Sequence, residues 1–351
     1  MLYRPYLCAN IPLAPYVTGI PSRNAITRLD DLSPTDFASY WNDRPFILTK
    51  PIKEWPIYKS WDTSSLLDEY SETRFRAEAV DWPLRSYVSY MHNNLDESPL
   101  YLFDKSFVEK MRLKVGKNHR DAKYWIPDCF GEDLFAVLGD RRPNSRWLII
   151  GPARSGSTFH KDPNATSAWN AVLRGSKYWI MFPTEGDSPP PPGVYVSKDH
   201  SEVTSPQSIA EWLIGFHEIA RKTPGCLEGI CGEGEVMHVP SGWWHLVVNL
   251  ETSIAITQNF VPRSHLPSVL SFLKYKPDQV SGFKRDVVDL YGTFVHCMDE
   301  QYPELLAQAM SGLGERSETR KRKWETVVRG SGIDKFRFGL GGNDDSDEDI
   351  P

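Results

Sequence analysis

His160 and Asp162 stand two apart in Phe159-His160-Lys161-Asp162-Pro163. On an extended strand, residues at that spacing share a face, so an imidazole and a carboxylate aim side by side while Lys161 turns away. They supply two of the three ligands in the two-histidine, one-carboxylate facial triad that holds non-haem Fe(II). The third ligand is expected at His245, at the end of Pro240-Ser241-Gly242-Trp243-Trp244-His245. Three coordination positions would stay open, enough for a bidentate co-substrate and dioxygen. A lone histidine in a strand is more often structural than a ligand, and His-x-Asp alone only evens the balance. The second histidine, behind a Pro-x-Gly-x-x-His turn, tips the reading to a metal. His238 lies one strand earlier in an apolar run and reads as a satisfied core histidine.

The elements that must carry these residues form a run of short strands. They are expected at 146–151, 157–162, 168–173, 177–182, 226–230, 235–239, 245–249 and 254–260, punctuated by glycine and proline. That spacing indicates an all-β barrel or jelly roll. The fold class is therefore mainly β with flanking α: a double-stranded β-helix (jelly roll, cupin) core with an N-terminal α/β extension and C-terminal helices. Pro189 to Pro192 opens an insertion whose helix, starting at Ser205-Pro206, places Ile209, Trp212, Leu213, Phe216 and Ile219 on one stripe. Ahead of the core, helices are expected over 30–41, 63–70 and 84–93 and strands over 45–48, 73–80 and 100–103. Behind it, helices are expected over 266–275, 283–298 and 303–310, then a charged helix over 315–328 holding Arg320-Lys321-Arg322-Lys323. The division that follows is an extended arm (1–25), an α/β scaffold (26–145), the catalytic core (146–262, with a helical insertion at 184–225), a helical region (263–330) and a disordered acidic tail (331–351).

A chain of 351 residues with 40% hydrophobic and 25% charged residues is ordinary for one large domain with an appendage. The net charge of −6 argues against generic nucleic-acid binding. The five cysteines are scattered, odd in number and form no Cys-x-x-Cys pair, which argues against a disulfide framework or structural zinc and for a reducing compartment. There is no signal-like apolar start and no run of about 18 apolar residues, so the expectation is no membrane and a location in the nucleus, the cytoplasm or both. No His-Glu-x-x-His helix supports a zinc hydrolase.

The spacing of His160, Asp162, Asn170, Lys177, His245, Thr257 and Asn259 resembles the Jumonji-C branch of 2-oxoglutarate oxygenases. It is most similar to the phosphatidylserine-receptor-like lysyl hydroxylases and arginine demethylases. The stretches that carry the likeness are Gly151 to Gly156 leading to His160, Thr166 to Ala171, Lys177, Pro240 to His245, and Ala255 to Phe260. The resemblance implies Fe(II) on His160, Asp162 and His245, with 2-oxoglutarate and O2 as co-substrates. Lys177 becomes the cation for the far carboxylate of 2-oxoglutarate, with Thr257 bonding the same group and Tyr101 adding a phenol. Asn170 and Asn259 would bond the co-substrate or orient a metal ligand. From spacing alone, Lys177 reads as a surface lysine beside a turn and the two asparagines equally well as buried structural amides. Trp243 and Trp244 read as packing. Two departures stand out: Ser157 replaces a threonine, keeping a hydroxyl, and Lys161 replaces an apolar residue.

The implied activity is hydroxylation of a protein side chain, lysine at carbon 5, coupled to conversion of 2-oxoglutarate to succinate and CO2. N-methyl arginine or lysine demethylation is the alternative, and a catalytically silent interaction module the second. The implied partner is a protein substrate, a histone or an RNA-processing or translation factor. A homodimer through the C-terminal helices is expected to use Phe294 and Leu305-Leu306, and Arg320 to Lys323 reads either as an import patch or as a solvated face.

Overall fold

The computed structural model describes residues 8, 10–184, 188–197, 202–284 and 287–313. Eight strands make the core: β1 Arg146–Gly151, β2 Gly156–His160, β3 Ser167–Arg174, β4 Lys177–Phe182, β5 Leu227–Cys231, β6 Val236–Val239, β7 Trp244–Asn249 and β8 Ser253–Phe260. One sheet runs β6-β3-β8-β1 and the other β5-β4-β7-β2, all antiparallel. Every connection but β4 to β5 crosses from one sheet to the other, which is the jelly-roll winding. β4, β6, β7 and β8 are buried at every residue. Covered on both faces, they read as near-continuous apolar runs, and the few polar residues within them stand out.

The first sheet is extended at both edges to nine strands. Phe46–Leu48 pairs with β6 and, in parallel, with Thr27–Leu29. Leu102–Asp104 pairs with β1 and leads on to the hairpin Arg74–Ala77/Val80–Pro83. These added strands pair both outer core strands of the first sheet, β6 and β1. The second pairing also sets Tyr101, just ahead of Leu102, against β1.

Local sequence explains where several elements start. Asp62 caps the helix Thr63–Tyr70 and exchanges bonds with Ser65. The expected helix over 30–41 is shorter. Ser33 caps Pro34–Asp36, after which Phe37–Trp41 winds as a wider π-type turn, burying Phe37 and leaving Tyr40 69% exposed. In the insertion, Ser208 caps Ile209–Lys222. Its buried stripe drifts through Trp212 and Leu213 to His217 and Ala220, so Ile219 falls to the side and is 56% exposed, against the sequence expectation. The described part of the N-terminal arm is not wholly extended: Ala14–Val17 is a helical turn, and Ile11, Leu13, Tyr16 and Val17 pack on the cluster around Trp212.

The C-terminal helices Leu266–Tyr275, Leu290–Gln301 and residues 303–313 fold onto a second core with Leu134, Phe135 and Leu138. The second of these begins at Leu290, where Asp289 caps it through the Gly292 N–H, rather than at 283. Phe294 is fully buried with its ring centroid 5.0 Å from that of Phe135, and Leu306 is buried beside it. The expectation that these residues form an exposed dimer face is corrected: intramolecular packing covers them. Arg320 to Lys323 and the tail at 331–351 lie outside the described residues.

Phe294→Ala is expected to lower unfolding stability by about 3–5 kcal/mol, as deletion of a fully buried ring does, with no change in molecular mass by light scattering. A shift in mass without loss of stability would restore the dimer face.

Candidate metal centre and co-substrate pocket

β2 ends at His160, so Asp162 lies beyond the ladder, but its backbone stays extended (φ −61°, ψ 144°). Extended alternation, rather than strand pairing, keeps the carboxylate on the face of His160. The next turn is tight: Asn164 and Ala165 both take positive φ. For residues other than glycine this is uncommon backbone and clusters at functional sites. The turn is held from outside by the Asn164 side chain, which donates to the Ser281 carbonyl at 2.9 Å and accepts from the Ser281 N–H at 3.0 Å. Ser241 Oγ donates to the Ala165 carbonyl at 2.7 Å, tying this turn to the loop that precedes His245.

His245 pairs with His160 across the β2–β7 ladder, and one face of the cavity begins there. Their ring centroids are 4.1 Å apart. One ligand atom from each of His160, Asp162 and His245 falls within 4.8 Å of the others. A bulge then shifts the register, so that Val247 opposes Ser157. Three residues of β2 span two of β7, which brings both Ser157 and His160 to the cavity although they are three apart. Gly156 is needed at that bulge: a Cβ there would sit 2.0 Å from the Val247 carbonyl oxygen.

Hydrogen bonding orients the donors. His160 Nδ1 donates to the Thr158 carbonyl at 2.8 Å and His245 Nδ1 to the Trp243 carbonyl at 3.1 Å. Each imidazole therefore presents a bare Nε2. The Asn259 amide hydrogen-bonds the Asp162 carboxylate and also donates to Thr166 Oγ1 at 2.8 Å. Asp162 keeps some surface, but its Oδ2 is shut from water and has no partner. Burial pushes the Asp162 carboxyl up, opposed by His160 and the Asn259 amide. Burial and the neighbouring His160 hold His245 well below the usual imidazole range, so it stays neutral, as a ligand must. Two bare imidazole nitrogens and an orphaned buried carboxylate oxygen fit a divalent cation that takes nitrogen and oxygen donors.

The cavity of about 440 Å3 beside this cluster is lined by His160, Asp162, His245, Ser157, Asn170, Thr257, Asn259 and Tyr101, among others. Eight of the nine residues expected to serve the site thus share its wall. Lys177 is fully buried one layer behind Tyr101, with its Nζ donating to Tyr101 Oη at 2.9 Å and to Asn249 Oδ1 at 2.7 Å. Burial pulls the Lys177 ammonium down to about 7. Thr257 lines the wall, but its hydroxyl donates to the Trp169 carbonyl at 3.0 Å, leaving its lone pairs to the cavity. The Asn170 Oδ1 is buried and unpartnered at the wall. Lys161 does turn away, lying 4.6 Å over the Trp244 ring. His238 is enclosed by Phe37, Phe46 and Phe130, and burial holds it at about 3.

Sequence reasoning missed three residues. Asn249 follows His245 and Val247 on the same face of β7, and Trp179 follows Lys177 on β4, so strand alternation would have found both. Trp179 stacks on His245 at 6.1 Å and leaves its indole N–H unpartnered at the wall. Glu78 sits at the cavity rim with φ +48° in the outer hairpin, accepting the Tyr101 N–H, and no motif pointed to it.

A jelly roll that gathers this donor set at one end of its smaller sheet is the architecture of the cupin-type oxygenases that depend on Fe(II) and 2-oxoglutarate. Within that class the chain belongs to the JmjC family: residues 147–260 match the model described as JmjC domain, hydroxylase. It is 34% identical over 302 residues to the bifunctional arginine demethylase and lysyl-hydroxylase psr-1 of Caenorhabditis elegans, covering 82% of this chain and 71% of that one. It is 41% identical over 348 residues to the arginine-specific demethylase JMJ22 of Arabidopsis thaliana, covering 96% of this chain but 65% of that relative's length. The 2-oxoglutarate and iron-dependent oxygenase JMJD4 of Danio rerio is 25% identical over 302 residues, 77% of this chain and 67% of its own.

Because the Lys177 ammonium falls from its usual 10.5 to about 7 on folding, the unfolded chain binds the extra proton between those values. Stability from this group therefore rises with pH above about 7, by at most about 1.4 kcal/mol per pH unit. Urea unfolding at pH 7 and pH 9 is expected to show a smaller rise for Lys177→Met than for the unaltered protein; equal slopes would mean that Lys177 stays charged throughout.

Proposed function

We propose that this protein is an Fe(II)- and 2-oxoglutarate-dependent oxygenase of protein side chains, with lysine hydroxylated at carbon 5. The observation that carries the reading is the convergence of His160, Asp162 and His245, whose ligand atoms lie within 4.8 Å of one another, with Asp162 Oδ2 buried and without a partner. When bound, the iron centre supplies oxidation of an unactivated C–H bond at the expense of 2-oxoglutarate and O2. The chain supplies everything around that chemistry. His160, Asp162 and His245 present three donors on one face and leave the opposite face to the cavity. Asn259 holds the Asp162 carboxylate in place, and the carbonyls of Thr158 and Trp243 hold the two imidazole tautomers. Lys177, with Tyr101 beside it, meets the far carboxylate of 2-oxoglutarate, and Asn170 faces the same space with a free acceptor. Ile149, Trp179, Val239 and Val247 form apolar walls that exclude water. No side chain here needs to act as a general base.

N-methyl arginine or lysine demethylation is the second reading, favoured by the 41% identity to a relative named as an arginine-specific demethylase. Both readings take a protein partner, which we place among histones and RNA-processing or translation factors. A silent module is disfavoured, because a structural cupin has no use for an orphaned carboxylate oxygen. We propose the nucleus or cytoplasm as the location, since all five cysteines are free and buried. A homodimer would have to use outer faces of the C-terminal helices, such as that of the partly exposed Met310.

Incubation of the protein with Fe(II), 2-oxoglutarate, O2 and candidate peptides is expected to yield succinate and a lysine heavier by one oxygen. Loss of methyl from arginine instead would select the second reading. His245→Ala is expected to abolish succinate formation and Mn(II) binding while leaving the unfolding midpoint within a few degrees. Turnover that persists in that variant would overturn the metal assignment.

A further inference from the structure

Behind the Tyr101 wall of the pocket, Asn249 organises the surroundings of Lys177. This residue is fully buried at the end of β7. Its Oδ1 accepts from Lys177 Nζ at 2.7 Å and from Ser253 Oγ at 2.9 Å, and its Nδ2 donates to Ser155 Oγ at 2.9 Å. The direction of the amide follows from its neighbours. Ser155 commits its own proton to the Pro152 carbonyl at 2.7 Å, so its oxygen accepts, while an ammonium only donates. The amide nitrogen must face Ser155 and the carbonyl oxygen must face Lys177. Gly151 leaves room for the pair, since a Cβ there would lie 2.2 Å from Ser155 Oγ and 2.8 Å from Asn249 Nδ2. Lys177 thus has two neutral partners, Asn249 and Tyr101, and its third N–H has no acceptor among the described residues.

We propose that Asn249 is a positioning residue that leaves Lys177 without a counter-charge inside the chain, and that this neutrality selects a keto acid with a second carboxylate over one without. The proposal rests on the oxygenase reading above and deepens it. An aspartate would fill the same space, accept the same two bonds and pair with Lys177, at the loss of the bond to Ser155. At that range in a buried site, an ion pair within the chain outcompetes an incoming carboxylate for the ammonium. Serine is the neutral control: it keeps an acceptor and adds no charge.

The test is calorimetric titration of the Mn(II)-loaded protein, which does not require turnover, with 2-oxoglutarate and with 2-oxopentanoate, a keto acid of the same chain length lacking the far carboxylate. The unaltered protein is expected to prefer 2-oxoglutarate. Asn249→Asp is expected to weaken 2-oxoglutarate by about tenfold or more, equivalent to about 1.4 kcal/mol, while 2-oxopentanoate binds as before. Asn249→Ser is expected to keep the preference. An Asn249→Asp variant with its preference intact overturns the proposal, as does equal loss of both ligands, which would mark Asn249 as structural only. If the unaltered protein binds neither keto acid, the oxygenase reading fails first and this proposal with it.

Discussion

Three lone-pair donors aimed at one point repel one another and, once buried, also lose water. His160, Asp162 and His245 are held in that arrangement, with one ligand atom of each within 4.8 Å of the others and the Asp162 Oδ2 unpaired. An unsatisfied buried polar atom costs about 1–3 kcal/mol, more for a charged one. The fold must therefore pin each donor from behind. The Thr158 and Trp243 carbonyls accept hydrogen bonds from the two imidazole Nδ1–H groups, and the Asn259 amide hydrogen-bonds the carboxylate. A cation restores what desolvation removes, so binding energy and folding energy are linked at this one point.

The rigidity comes from the two turns that carry the donors. Asp162 enters a turn with two residues at positive φ, and His245 leaves the loop of Pro240 to Trp243. Ser241 bonds both: its Oγ reaches the Ala165 carbonyl and its N–H reaches Ser167 Oγ at 3.1 Å. Ser167 is in turn bonded to His265 at 2.9 Å, and His265 to Asp43 at 2.7 Å. Asn164 bonds Ser281. Residues from the N-terminal scaffold and the C-terminal helices thus brace a site whose ligands all lie within the jelly roll. An isolated core would lack those braces, which gives the flanking regions a physical role in the chemistry.

Much of this was legible in the sequence, for identifiable reasons. The core strands are short, bounded by glycine and proline and largely apolar, so the jelly roll could be read directly, and residue types with ligand chemistry stood out within it. Element ends were less legible. The helix expected from residue 30 shrank because its wide turn is set by where Phe37 finds Phe46 and Phe130, a tertiary contact. Phe294 looked like a surface anchor because its partner, Phe135, lies far away in sequence. Ser157 reaches the cavity only through a bulge, which no local pattern announced; it was found by resemblance. Asn249 and Trp179 were within reach of simple alternation from His245 and Lys177. Glu78 comes from an outer hairpin, and only the assembled sheet brings it to the rim.

Charge balance accounts for the shape of the pocket as a whole. Asp162 stands at one end and Tyr101 lines the wall with Lys177 buried behind it, and the same cavity has apolar walls such as Ile149, Val247 and Trp179. With a divalent cation bound, its charge less that of Asp162 and plus that of Lys177 leaves two positive charges in a low-dielectric space. A keto acid with two carboxylates cancels both, one at each end. A single carboxylate leaves one buried charge unpaired, at a penalty of several kcal/mol. Without a ligand, burial pulls the Lys177 ammonium down to about 7, so it gives up its proton more easily. The neutral amide of Asn249 keeps that imbalance available to a ligand, whereas a carboxylate in its place would settle it within the chain.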